Sequence, residues 1–177
     1  WVADRADRDL QLRAVYEQTL AEGGMPYLVP YGGSSPTGAL GYAFALEELM
    51  AQDSFFDWII FATSSGGTHA GLTLGKRLFD FEGQILGISI DEDENWLKEH
   101  VSGLAAEASE LLGERKQFDL TDVLANDSYC KPGYGVLTGL EREAVQLFAN
   151  YEGLLLDPVY TGRAAGGMID LIRKGFF

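Results

Sequence analysis

Short apolar runs alternate along the chain with longer segments in which apolar residues recur at helical spacing. The apolar runs predict four strands, at 27–29, 58–61, 85–90 and 154–156. The longer segments predict six helices, at about 7–22, 38–52, 68–79, 94–112, 139–151 and 162–174. In a sheet with one solvent-exposed face, apolar and polar residues alternate along each strand. These runs do not alternate in this way, so they favour a parallel sheet that helices cover on both faces. The pattern therefore predicts an α/β fold, with a mainly parallel sheet and helices on both faces.

The composition is that of a folded domain and narrows the range of functions. Of the 177 residues, 46% are hydrophobic and 23% are charged. No apolar run approaches the ~20 residues of a membrane-spanning helix, and the net charge of -14 argues against nucleic-acid binding. A single cysteine, Cys130, excludes an intrachain disulfide, and with two histidines, His69 and His100, it makes no plausible metal cluster. We therefore expect a cytoplasmic protein that binds neither nucleic acid, membrane nor metal.

The segment at 57–72 carries the clearest chemistry. A buried strand runs into the turn Ser64-Ser65-Gly66-Gly67 and then directly into a helix that begins near Thr68. Glycines let the backbone turn sharply, so that successive N–H groups converge where the helix dipole also attracts an anion. Hydroxyls of the serines and the threonine can bind the same anion. The pattern indicates a phosphate site, and the alternative is an ordinary turn in which Thr68 caps the helix. It is neither a Walker A motif nor G-x-G-x-x-G, which disfavours ATP and NAD.

The same residues resemble a known family. Ser64-Ser65-Gly66-Gly67-Thr68 resembles the phosphate-binding loop of fold-type II pyridoxal-phosphate enzymes, which are similar to the tryptophan synthase β subunit. The stretch 67–72 is similar to D-cysteine desulfhydrases in particular, and the stretches 26–41, 132–136 and 152–163 fit the same family in order and spacing. The chain therefore resembles the C-terminal part of the family that contains D-cysteine desulfhydrases and 1-aminocyclopropane-1-carboxylate (ACC) deaminases.

The resemblance implies a cofactor and a set of site residues. Pyridoxal 5'-phosphate is the implied cofactor, and Tyr134 and Tyr160 are the implied catalytic residues on the substrate side, where a phenol can orient a carboxylate or move a proton. The alternative for both tyrosines is a core position with the hydroxyl in contact with water or backbone. Thr161 is expected beside the pyridine nitrogen. The implied cofactor-binding residues are Ser64, Ser65, Gly66, Gly67, Thr68 and Thr161.

The resemblance also implies a domain division and a missing segment. Residues 1–30 match the end of the smaller cofactor domain, and residues 31–177 match most of the larger phosphate-binding domain. The lysine that binds the cofactor belongs to an earlier segment, and no lysine here lies in a matching context. Lys76, for example, lies on the same helix as Thr68 but roughly 12 Å along its axis. We therefore expect an intact protein about twice as long, a homodimer by resemblance, and an isolated chain without activity.

The expected activity is α,β-elimination of D-cysteine to pyruvate, ammonia and sulfide, with a small amino acid as substrate. One alternative is ACC deaminase, and another is a non-catalytic phosphate-binding module. Thr161 favours the desulfhydrase, because ACC deaminases usually carry a glutamate at the matching position. Asp157-Pro158 is interpreted as shaping the turn before Tyr160, and His69 is given no chemical role.

Overall fold

The computed structural model describes residues 7–52 and 56–177, and the chain divides into two compact units, Trp1–Tyr31 and Gly32–Phe177. The first unit contains helix α1, Arg8–Ala21, followed by an irregular segment. The strand predicted at 27–29 is wrong, because this segment has no strand structure and Tyr27 is 87% exposed. Three apolar residues favour a strand only where a neighbouring strand pairs with them, and within the described residues none does.

The second unit is built on a three-stranded parallel sheet. Strands β1, Trp58–Thr63, and β2, Gln84–Ser89, pair from Trp58↔Gln84 to Thr63↔Ser89. Strand β3, Leu124–Asn126, pairs with the other side of β2, which gives the order β1-β2-β3. All three strands therefore end at the same edge of the sheet. Five α-helices accompany the strands: α2 (Pro36–Gln52), α3 (Gly67–Leu78), α4 (Glu94–Leu111), α5 (Gly139–Leu147) and α6 (Thr161–Arg173).

Alternate residues of the strands pack against helices on opposite faces of the sheet. Ile59 and Phe61 of β1 pack with Leu46 of α2 and Leu72 of α3. The intervening residues of β1 pack on the other face with α6, through Ala164 and Leu171. This arrangement confirms the predicted α/β fold with helices on both faces of a parallel sheet, and it explains why both faces of β1 are apolar.

Helix α3 also lies unusually close to α2. A methyl group at Gly71 would lie 2.1 Å from the backbone oxygen of Ala39, so this crossing requires glycine. Among the described residues, no helix is long and apolar enough to cross a membrane.

The predicted elements differ from the observed ones at three further short segments. The strand predicted at 154–156 is wrong, since those residues are irregular and Leu155 is 90% exposed. Strand β3 was not predicted, because its three residues, Leu-Ala-Asn, form no apolar run. The helices were predicted within a few residues of their observed ends, except that α5 gives way at Phe148 to a π-helical turn, Phe148–Glu152.

Candidate cofactor site

The site begins where β1 passes into α3. β1 ends at Thr63, and α3 begins at Gly67 after a turn in which Gly66 adopts the left-handed conformation, with φ of 83°. A side chain at Gly66 would be strained, and its Cβ would lie 2.9 Å from Cδ2 of His100. Glycine is therefore required at this turn. The first amides of α3 have no partner within the helix, and they open at the edge of the sheet where the strands end.

A cavity of about 110 Å³ lies at this junction and is lined by residues 62–68 together with Tyr160. The predicted residues Ser64, Ser65, Gly66, Gly67 and Thr68 all line this one cavity. Thr63 also lines it, and its hydroxyl is buried without a hydrogen-bond partner in the described part of the chain. A buried hydroxyl without a partner is costly unless a ligand or water bonds to it. The cavity is therefore lined by the first residues of α3 and by residues that carry hydroxyl groups, which is a composition that suits a bound anion.

Ser34, which the sequence analysis did not single out, joins this loop from the segment before α2. The Gly67 amide donates to Oγ of Ser34 at 3.0 Å, and the Ser34 hydroxyl donates to Oγ of Ser65 at 2.9 Å. The Ser34 hydroxyl thus accepts a hydrogen bond from an amide at the N-terminus of α3. A phosphate oxygen can accept a hydrogen bond at the same position. Ser34 lies in a Gly/Ser-rich stretch whose sequence gave no sign of this contact.

The hydroxyl of Ser64 points toward a carboxylate. It donates to Oδ1 of Asp91 at 2.7 Å, and Asp91 follows β2 at the same edge of the sheet. This bond connects the loop after β1 to the loop after β2. Because a serine hydroxyl carries one proton, Ser64 can bond a phosphate oxygen only by giving up this contact.

The two predicted tyrosines contact each other, and Tyr160 lines the cavity. The hydroxyls of Tyr134 and Tyr160 are 2.7 Å apart, and their rings pack edge to face with centroids 5.9 Å apart. Both side chains are exposed, at 55% and 41%, so neither is a core residue. One of the two phenols therefore donates a hydrogen bond to the other.

A buried ion pair fixes the loop that carries Tyr134. Arg163 of α6 donates from Nε to Oε1 of Glu141 at 2.8 Å, and both side chains are 1% exposed. The same guanidinium donates to the backbone oxygens of Gly133 at 3.0 Å and Val136 at 2.9 Å, on either side of the tyrosine. Arg163 therefore holds both ends of the Tyr134 loop against α6. In the sequence, Arg163 stands out only as the last residue of the stretch 152–163 that matches the family.

Thr161 lies at the first position of α6 and is bound by Asp157. Its hydroxyl donates to Oδ2 of Asp157 at 2.6 Å and accepts from the Asp157 amide at 2.9 Å. The carboxylate also accepts from the amides of Val159, Tyr160 and Thr161. Partial burial opposes ionisation of Asp157, but the hydrogen bonds from Thr161 and from these amides lower its pKa to about 2.

A second cavity adjoins the first at Ala62. It measures about 310 Å³, and Thr161 contributes to a mainly apolar wall formed by β1, Phe148, Leu156 and α6. Thr161 and the serine–glycine loop therefore belong to neighbouring cavities, on either side of the end of β1.

The residues from 2 to 177 match the family model described as "Pyridoxal-phosphate dependent enzyme". The chain belongs to this family. Relatives within the pyridoxal-phosphate family carry two different names. An ACC deaminase of Methylobacterium sp. (strain 4-46) is 36% identical over 178 residues, which cover 96% of this chain and 53% of the relative. A D-cysteine desulfhydrase of Salmonella typhi is 36% identical over 174 residues, which cover 97% of this chain and 52% of the relative.

A solved structure of the same pyridoxal-phosphate family confirms the fold. The structure, titled as an analysis of the ACC deaminase homologue, matches with a TM-score of 0.86 at 35% identity, over 99% of this chain and 53% of that one. The chain spans about half the length of the curated relatives it matches.

Lys76 lines neither the cavity at the serine–glycine loop nor the cavity beside Thr161, and it lines a separate cavity together with Thr73 and Asp122. It lies in the last turn of α3, and its ammonium donates to the backbone oxygen of Gly83 at 2.5 Å. Partial burial lowers its pKa. The serine–glycine loop is at the opposite end of the same helix.

Proposed function

We propose that the loop of Ser64, Ser65, Gly66, Gly67 and Thr68 binds the phosphate of pyridoxal 5'-phosphate in the intact protein that contains this chain. The cavity at the N-terminus of α3 supports this proposal, because it is lined by the first residues of that helix and by residues that carry hydroxyl groups. The helix dipole adds positive potential at the same point. Membership of the pyridoxal-phosphate family supplies the identity of the phosphate ester.

The reaction that the site supports best is elimination of sulfide from D-cysteine, which yields pyruvate and ammonia. When bound, the cofactor supplies an electron-withdrawing ring that stabilises negative charge at Cα of the amino acid. Tyr134 and Tyr160 provide a paired donor and acceptor beside the phosphate cavity. We assign them the role of orienting the substrate carboxylate and holding a proton at the phenol oxygen of Tyr160.

The single observation that favours D-cysteine is the residue at 161. Thr161 places a hydroxyl, not a carboxylate, in the cavity that adjoins the phosphate loop. A carboxylate in direct contact with a ring nitrogen strongly favours its protonated form, which is the stronger electron acceptor. Opening a cyclopropane needs a strong acceptor, whereas thiolate is a good leaving group and departs with a weaker one. The second candidate is ACC deaminase, which the names of equally similar relatives favour.

A comparison of the two substrates on the intact protein tests this proposal. We expect sulfide and pyruvate from D-cysteine and little product from 1-aminocyclopropane-1-carboxylate, with loss of most activity in Tyr160→Phe. A preference for the cyclopropane substrate would overturn the desulfhydrase assignment and leave the cofactor site standing. Cofactor binding without turnover of either substrate would favour a non-catalytic binding module.

A further inference from the structure

The turn at 157–162 is more tightly organised than a simple helix start requires. One carboxylate, that of Asp157, accepts hydrogen bonds from the amides of Val159, Tyr160 and Thr161 at 2.7–2.8 Å. The amide of Gly162 donates to the backbone oxygen of Asp157 at 2.7 Å, and a Cβ at Gly162 would lie 2.6 Å from that oxygen. The backbone at Tyr160 is therefore held by hydrogen bonds on both sides.

The protons in this turn determine what Thr161 can offer a ligand. A threonine hydroxyl has one proton and two lone pairs, and an ionised carboxylate can only accept. Because the pKa of Asp157 is about 2, the proton between the two side chains belongs to Thr161 and is donated to Asp157. One lone pair of the same oxygen accepts from the Asp157 amide. Thr161 is exposed and lines the larger cavity, so its remaining lone pair is available to a ligand there.

We propose that Asp157 is a positioning residue that makes Thr161 a hydrogen-bond acceptor, so that the group bound beside Thr161 must be a donor. This inference rests on the proposed function, in which that group is the ring nitrogen of the cofactor. Asp157, acting through Thr161, then favours the protonated ring nitrogen. A threonine free to turn its hydroxyl would instead donate to a neutral nitrogen.

The expected rise in the pKa of the ring nitrogen is larger than a neutral residue would cause and smaller than a carboxylate in direct contact would cause. An opposite charge stabilises a cation less as the distance increases, and here one hydroxyl separates the carboxylate from the nitrogen. A charge at such a distance shifts a pKa by about one unit, which is about tenfold in the protonation constant. The arrangement therefore gives a moderate electron acceptor, consistent with removal of a good leaving group.

Nitrogen NMR of the intact protein, loaded with cofactor labelled with ¹⁵N in the ring, measures this effect directly. The ¹⁵N chemical shift distinguishes a protonated from a neutral pyridine and can be followed against pH. In Asp157→Asn the new amide donates to Oγ of Thr161, so the hydroxyl turns outward as a donor. We expect the protonation midpoint of the ring nitrogen to fall by about one pH unit.

Two further variants complete the test. Thr161→Val removes the hydroxyl but keeps the carboxylate, and it should lower the midpoint by a similar amount even if Asp157→Asn folds poorly. Asp170→Asn removes a carboxylate within α6, one that accepts from Tyr129 and Lys174, and it should leave the midpoint unchanged. A ring nitrogen that is neutral in the unsubstituted protein, or a midpoint that neither variant moves, would overturn the inference alone. Failure of the unsubstituted protein to bind the cofactor would overturn the proposed function and the inference together.

Discussion

His69 shows at the residue scale how a side chain near the site can be structural. It is fully buried on α3, packs edge to face on Phe61 with centroids 5.1 Å apart, and neither ring nitrogen has a partner within the described residues. Burial lowers its pKa from the ordinary value of 6.5 to about 3. The imidazole is therefore neutral in the folded protein, and it acts as a packing group beside the serine–glycine loop.

The stability of the protein should consequently fall in mild acid because of this one residue. Between pH 6.5 and about 3 the unfolded state binds a proton at His69 that the folded state does not. Stability is therefore full above pH 6.5 and is lost as the pH falls, by up to about 1.4 kcal/mol per pH unit. Urea unfolding at pH 7, 6 and 5 measures how steeply the free energy of unfolding falls with pH, and this dependence should be weaker in His69→Leu. His100→Gln, which leaves His69 in place, should keep it, and identical slopes in all three proteins would contradict this account.

Sequence patterns predicted the residues of the loop but not the contacts that complete it. The chain order of β1, serine, glycine and α3 is enough to predict a turn whose amides converge, because those residues are adjacent. Ser34 and Asp91 reach the loop from positions 31 and 27 residues away from their partners, and no local pattern encodes such contacts. The direction of the Thr161 hydroxyl also depends on a carboxylate whose pKa only the folded turn determines.

At the scale of elements, the helices could be predicted because their apolar residues recur at helical spacing over many positions, and the two longer strands because each contains an apolar run. β3 could not, since three residues carry no period and its pairing with β2 depends on the fold. The strands predicted at 27–29 and 154–156 are absent because an apolar run does not form a strand without a neighbouring strand to pair with.

The packing of α6 against α5 should depend on the buried pair of Arg163 and Glu141 and not on exposed pairs of the same helices. Removing one partner of a buried, hydrogen-bonded pair leaves an uncompensated charge, which costs about 3–5 kcal/mol. Arg163→Met should therefore lower the free energy of unfolding by about that amount. Arg173→Met removes the exposed pair with Glu143 and should cost at most about 1 kcal/mol. Urea unfolding of both variants measures the difference, and equal costs would show that Arg163 does not hold the Tyr134 loop as described.

At the scale of the whole molecule, the chain places two cavities and a tyrosine pair at the edge of the sheet where the strands end. Parallel sheets commonly bind ligands at this edge, since the loops after several strands meet there. The loops after β1 and β2 are joined by Ser64 and Asp91, and α6 brings Tyr160 and Thr161 to the same edge. The central claim is that this edge binds the cofactor through its phosphate.

Calorimetric titration of the intact protein with pyridoxal phosphate and with pyridoxal, which lacks the phosphate, tests that claim most directly. In Gly66→Ala the new methyl group would be strained at φ of 83° and would crowd His100, so the loop amides must shift. Gly113→Ala is the matched control, because Gly113 also has a positive φ, of 76°, but open space around it. We expect Gly66→Ala to lose at least about tenfold in affinity for pyridoxal phosphate and none for pyridoxal, with Gly113→Ala unchanged for both. Unchanged affinity for pyridoxal phosphate in a folded Gly66→Ala variant, or an equal loss for both compounds, would contradict a phosphate site at this loop.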